Sequence, residues 1–360
     1  MVKFSAVDKI GLIPRKVNPD NFESPVNILN SWITPNHLFF IRCHLPYPGI
    51  FLETWTLTID GEVNTQKNIT YNELLKMPQI TKDAIIECAG NKRGLMEPPA
   101  SGDQFELGTI GNAKWSGVPL SFVLEQAGIR ENVKEIIFSG LDKGFRPDMP
   151  QELNFARSLP NDKSLLDECL LALYMNDVQL PFEHGFPLRL IVPGWHGMAH
   201  VKWLSRITAS NDQFKGPFQT IDYVYITNED DYSNALPVTE NRINSIISWP
   251  GKGEIIKPGQ YVIKGIAWTG GNRTVQKVQV STDNGASWSD AQLTSPEYKP
   301  YTWTFWDYTW NVSQSGHYSI LARATDSSGN IQPKHAAWNA KGYSNNSIHK
   351  VDVVVPAQKI

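Results

Sequence analysis

The chain has 360 residues, a formal net charge of −3 and 19% charged residues. That length supports two hydrophobic cores, and the charge lacks the strong basic excess of a general nucleic-acid binder. Small molecules and proteins are therefore the expected partners.

No run approaches the ~20 apolar residues needed to span a bilayer. The opening Met1 to Asp8 lacks the apolar core of a secretory signal. The chain reads as cytoplasmic, or as periplasmic if a leader has been removed. Three cysteines, Cys43, Cys88 and Cys169, are too few and too scattered for a disulfide framework or a four-cysteine zinc site.

In chain order, Phe39-Phe40-Ile41-Arg42-Cys43-His44 ends an apolar run with Arg42 and His44 two apart, sharing one face of an extended segment. A strand end with solvated polar groups would look the same. Trp55, Leu57 and Ile59 then alternate with threonines ahead of Asp60-Gly61, which predicts a strand and a turn. Ile85-Ile86-Glu87-Cys88-Ala89-Gly90-Asn91-Lys92-Arg93 is a strand-like run that breaks into a cationic loop. Positive charge and loop amides there favour a thiolate, making Cys88 a candidate metal ligand or nucleophile.

A glycine-punctuated loop from Gly108 feeds a predicted helix between Pro119 and Gly128. Leu120, Val123, Leu124 and Ala127 share its apolar face, with proline near the start and glycine at the end. His184, Arg189 and Lys202 surround an apolar strand, and such cations converging near a loop suit a phosphorylated cofactor through charge-assisted hydrogen bonds. Scattered surface cations are the alternative. His196 and His200 have the spacing of a zinc pair, but Pro193-Gly194 closely precede them and the glutamate of His-Glu-x-x-His is missing.

Asp222-Tyr223 lie ahead of a polar stretch, Asn228 to Asn234, read as a linker. Beyond it, Lys277 to Ser281 lead into Asp283-Asn284-Gly285, a hairpin-turn signal. Tyr318, Ile320, Ala322 and Ala324 alternate before a further turn. This spacing suits an all-β sandwich after a mixed α+β first part. No Cys-x-x-Cys-His segment for covalent haem occurs.

The Cys88 loop resembles the molybdenum-binding signature of the sulfite oxidase family, and the resemblance runs from about Ile33 to His349. It implies an α+β molybdopterin domain over residues 1–230, an immunoglobulin-like dimerisation domain over 231–360, and a two-fold homodimer. It further implies a pterin-bound molybdenum with Cys88 as its protein ligand and no haem in this chain. Phe40, Arg42, Cys43, His44, Asp142, His184, Arg189, His200, Val201 and Lys202 would contact the cofactor, with Trp115 as a pocket tryptophan.

By the same resemblance, Arg42, Arg93, Arg273 and Lys341 would neutralise sulfite and Tyr223 would hydrogen-bond it. Oxygen-atom transfer would give sulfate, with electrons passing to an external acceptor such as a c-type cytochrome. Two positions depart from the family: Cys43 replaces a common asparagine, and Lys341 replaces an arginine, keeping the charge but losing the bidentate grip. Two alternatives remain open, an oxyanion or sulfoxide reductase on the same scaffold and a non-catalytic anion-binding dimer.

Overall fold

The computed structural model describes residues 8–146, 148–228, 231–295 and 299–357. The amino-terminal segment read for a leader lies outside the described residues up to Val7, as do linker residues Glu229 and Asp230. The first part of the chain is mostly sheet with few helices.

One five-stranded sheet runs Val178–Gln179, Leu170–Met175, Ile110–Pro119 and Ile80–Glu87, with Arg189–Ile191 also pairing to Leu170–Met175. The other runs Lys67–Thr70, Thr56–Gly61, Leu204–Ser210, Glu135–Gly144 and Leu153–Pro160. A large apolar cluster drawn from Leu12 to Val238, with Tyr343 added from far along the chain, fills the space they bound.

Local chemistry explains the elements. Leu57 and Ile59 are fully buried on one face of Thr56–Gly61, and Gly61 turns the chain at φ +83°, a region open to glycine. The helix forms over Leu120–Ala127, with all four predicted apolar residues buried and Gly128 closing it in the left-handed conformation. Ile80–Glu87 is partly exposed over its first four residues and buried over Ala84 to Glu87. A strand buried on both faces reads as a continuous apolar run, and this one carries Cys88 into the interior.

In the second part, two four-stranded antiparallel sheets enclose a second cluster extending from Ile243 to Val355. One sheet contains Asn244–Trp249, Gly259–Trp268, Thr304–Val312 and Gln292–Leu293. The other contains Ser289–Asp290, Val275–Ser281, Gly316–Asp326 and His349–Val355. The predicted turn has both Asn284 and Gly285 at positive φ, within a longer connection from Val275–Ser281 to Ser289–Asp290. A third cluster joins Leu29, Ile85 and Ile110 to Ile246, Ile266, Trp268 and Trp303, so the strand leading to Cys88 is packed from both parts of the chain.

Candidate active site

Each wall of the site is fixed by its own local structure. Ile41–Arg42 pairs with Asp20–Glu23 in a register that sets Arg42 opposite Asn21. The Asn21 side chain accepts from Arg42 Nη1 at 2.9 Å and from the Cys43 amide at 3.1 Å. Cys88 follows its strand, with its amide donating to Thr109 O and its carbonyl accepting from Asn91 N, both at 2.9 Å.

Asp142 sits where the pairing of Glu135–Gly144 slips register, and bulges of this kind re-aim side chains. At Gly185, φ is +114° and a Cβ would stand 3.0–3.1 Å from the Cβ atoms of Lys202 and Arg189. Only glycine lets this loop bring His184, Arg189 and Lys202 so close. Tyr223 directly follows a π-helical turn, Phe218–Asp222, an irregularity frequent at functional sites.

These pieces surround one cavity. Its walls include Phe40, Arg42, Cys43, His44, Cys88, Asp142, His184, Arg189, His200, Lys202 and Tyr223, with Phe39, Phe155 and Met198 among the apolar surfaces.

Five residues expected at the site lie outside the lining of this cavity. Val201 is fully buried outside the lining, with its amide bonded to Ala199 O and its carbonyl to Leu190 N. Trp115 lies behind the wall, fully buried, donating to Ala84 O at 3.1 Å beneath Arg189. Arg93 is buried beside the cavity but holds the carbonyls of Lys341 and Asp103 at 2.9 and 3.0 Å. Arg273 is paired with Glu240 and Asp326 at 3.1 and 3.2 Å. The Lys341 ammonium stands 5.7 Å over the ring of Tyr232. None of these five lines the cavity.

A chain of polar contacts runs along one wall. Arg42 lies 3.6 Å from Asp103, its Nη2 stands 3.4 Å from His44 Nδ1, and His44 Nε2 is 2.5 Å from the Tyr223 hydroxyl. A guanidinium has no acceptor, so His44 Nδ1 must accept and the proton sits on Nε2. That assignment agrees with a His44 pKa well below the usual value, driven first by burial and then by Arg42, Arg146, Lys202 and Arg93. The neutral ring therefore donates to Tyr223 Oη, leaving the phenol proton free to point elsewhere. Burial, only partly opposed by Arg42, holds the Tyr223 pKa well above 10.0, so the phenol stays protonated.

The Cys88 thiol corrects another expectation. Burial raises its pKa, and the opposing pull of Arg42, the Gly90 amide and Arg93 does not overcome it. The loop is cationic as read, but desolvation wins. Such a thiol is held for a partner that brings positive charge of its own.

Residues outside the sequence reading also shape this wall. Arg146 is paired with Asp148 and Asp222, at 2.6 and 3.1 Å for its Nη2, and stands 5.4 Å over Phe218. Arg157, buried with its pKa lowered to about 10 by desolvation, stands 5.6 Å over Tyr223. Tyr343 stacks on Tyr223 at 5.1 Å and 25°. Arg146 and Arg157 resemble ordinary turn and strand arginines, and only their separation from solvent in three dimensions distinguishes them.

The cavity's own unmet chemistry tests what it can hold. Asp142 Oδ1 and Arg189 Nε are buried without hydrogen-bond partners, an acceptor and a charged donor left waiting. Burial pushes the Asp142 carboxyl up to about 7 and pulls Arg189 down to about 9, so both gain if a ligand satisfies them. Arg189 and Lys202 supply positive charge for a phosphate, Asp142 can accept from a heterocycle N–H, and the Cys88 sulfur suits a soft metal. The residues present fit a phosphorylated heterocycle carrying a thiophilic metal.

Fold and site together define a protein that buries a phosphorylated metal cofactor. Residues 44–218 match the family described as oxidoreductase molybdopterin binding domain, and residues 236–356 match the Mo-co oxidoreductase dimerisation domain. The mitochondrial sulfite oxidase of Rattus norvegicus is 35% identical over 94% of this chain and 65% of its own length. The sulfite oxidase of Gallus gallus is 33% identical over 94% of this chain and 77% of its own length. The sulfane dehydrogenase SoxCD of Paracoccus pantotrophus superposes with a TM-score of 0.78 at 28% identity, covering 97% of this chain and 87% of that one.

The chain belongs to the sulfite oxidase family of molybdopterin-dependent oxidoreductases, and its cofactor is a molybdenum-bearing molybdopterin. It spans just under two thirds of the rat relative's length. No helix among the described residues is long and apolar enough to cross a membrane.

Proposed function

We propose that this chain oxidises sulfite to sulfate: sulfite and water give sulfate, two protons and two electrons. The observation that carries the reading is the convergence of Cys88, Arg42 and Tyr223 on one cavity that also holds the Arg189 and Lys202 cations. Relatives called sulfite oxidase span almost the whole chain. When bound, the molybdenum cofactor supplies oxygen-atom transfer and takes up the two electrons.

In this reading Cys88 provides the metal's thiolate, and Arg189, Lys202 and His184 take the phosphate. Asp142 accepts from the pterin, while Phe40, Cys43 and His200 complete its walls. Arg42 neutralises the sulfite dianion, an attraction strengthened by the desolvated setting. Tyr223, held by His44 Nε2–H, donates its free proton to a substrate oxygen. His44 is the positioning residue: its neutral ring, turned by Arg42, keeps the phenol a donor toward substrate.

We further propose a chain division at about residue 230, with an immunoglobulin-like sandwich over 231–360 that pairs two copies into a homodimer. Electrons leave to an external acceptor such as a c-type cytochrome. The proposed compartment is the cytoplasm, or the periplasm for a chain that has lost a leader. A second reading, reduction of an oxyanion or sulfoxide, draws support from Lys341, whose ammonium faces Tyr232.

The test is molybdenum content together with sulfite-dependent ferricyanide reduction on one sample. Near-stoichiometric metal with turnover is expected. Metal-replete protein that ignores sulfite but oxidises a reduced dye with a sulfoxide or oxyanion would overturn the first reading in favour of the second.

A further inference from the structure

The turn Lys341-Gly342-Tyr343 reaches the active-site wall from the second part of the chain, and its construction is specific. Gly342 has φ +63°, and a Cβ there would stand 2.7 Å from Arg93 Cγ and 2.8 Å from Ala100 Cβ. The turn therefore closes on Arg93 only with glycine. Arg93 Nε donates to Lys341 O at 2.9 Å, and the guanidinium lies 5.0 Å over the Tyr343 ring. The Asn339 side chain ties the same turn, accepting from Tyr343 N and donating to Tyr343 O, both at 2.9 Å.

The result is an exchange of roles within three residues. The Lys341 ammonium is turned toward the ring of Tyr232. Tyr343 is turned inward, 8% exposed and stacked on Tyr223. Its backbone is fully engaged, yet its hydroxyl has no hydrogen-bond partner among the described residues. A phenol with no protein partner is open to a hydrogen bond with a ligand or water.

We propose that Tyr343 is a second hydrogen-bond donor to the substrate oxyanion, beside Tyr223, and that it supplies the anion recognition which the cation at position 341 does not. The inference rests on the oxyanion reading of the cavity. Burial raises the phenol's pKa to about 12, with Arg93 and Arg42 pulling the other way, so it carries its proton at neutral pH. The ligand class is a small oxyanion of sulfur, held by one cation and two neutral phenols.

The experiment is Tyr343→Phe in the cofactor-loaded protein. The variant keeps the ring stack and removes only the hydroxyl. Sulfate, the product anion, is titrated calorimetrically, and sulfite kinetics are measured on the same samples. Sulfate binding is expected to weaken roughly tenfold, the factor carried by one hydrogen bond to a charged group. KM for sulfite should rise by a similar factor, with kcat changed less than twofold and the melting temperature retained.

Sulfate binding and KM equal to wild type would overturn the inference while leaving the sulfite reading intact. If wild type binds sulfate but does not turn over sulfite, and Tyr343→Phe still weakens sulfate tenfold, the donor role stands and the sulfite reading fails.

Discussion

Replacing Arg189 by methionine should separate folding from cofactor binding, because this side chain is costly to the empty protein and useful only to the loaded one. Burial pulls its pKa from 12.5 to about 9, equivalent to about 5 kcal/mol against the charge. In return it makes two bonds to carbonyls, His184 O at 2.9 Å and His200 O at 3.2 Å, each contributing about 1.5–3 kcal/mol for a charged donor. The two sides nearly cancel. Arg189→Met should thus shift the melting temperature of cofactor-free protein by no more than a few degrees.

The orphaned Nε is different, since a bound phosphate would add a charge-assisted bond of about 1.5–3 kcal/mol. Losing it weakens cofactor retention by about 10- to 100-fold and narrows the gap in melting temperature between loaded and empty protein. Metal mass spectrometry, pterin fluorescence and thermal scans of both forms read all three quantities. A variant with full molybdenum content and an unchanged melting gap would refute the reasoning.

Two further outcomes follow from the same electrostatics. His44, His184, His196, His200 and His349 are all buried with lowered pKa values, the last four at about 3 and burial the leading cause in each. The unfolded chain protonates these rings near pH ~6.5 and the native state does not, so stability falls as pH falls. Glu87 and Asp142, pushed up to about 7 by burial, work in the opposite sense, so the net uptake on unfolding grows from about one proton near pH 6.5 to about three near pH 5, where the loss reaches about 4 kcal/mol per pH unit. Cofactor-free protein should lose its urea resistance steeply between about pH 6.5 and 5, and a flat midpoint across that range would show the rings to be solvated. Lys341→Arg should leave sulfate affinity within about twofold, because the side chain faces Tyr232; tighter binding on titration would put residue 341 in the anion pocket.

Local patterns were enough for what local chemistry decides. Alternation revealed Leu57 and Ile59, and proline and glycine marked both ends of Leu120–Ala127. The resemblance brought Arg42, His44, Cys88, Asp142, His184, Arg189, Lys202 and Tyr223 to one cavity. It says less where a side chain's direction depends on a distant partner. Arg273, which the resemblance aims at the anion, is paired with Glu240 and Asp326. Lys341 and Tyr343 lie in one short turn, and nothing in their spacing says which faces inward; Gly342 packed against Arg93 decides it. The Cys88 thiol was misjudged for a related reason, since sequence displays the nearby cations but not the depth of burial that outweighs them.

The loop after Cys88 shows why the two matched regions act as one site. Ser344 N donates to Ala89 O at 2.8 Å, and Trp268 Nε1 donates to Glu87 Oε2 at 2.9 Å. Lys92, in the left-handed conformation at φ 63°, is held at both ends. Its carbonyl accepts from Asn345 Nδ2 at 2.8 Å, and its ammonium donates to Asn244 Oδ1 at 3.0 Å and Ser347 O at 2.6 Å. A buried ammonium and a left-handed lysine are each unfavourable alone, and they persist because residues from beyond position 240 satisfy them. The conformation that places Cys88 is therefore specified by both halves of the chain, and a fragment ending between the matched regions would have the ligand without the framework that aims it.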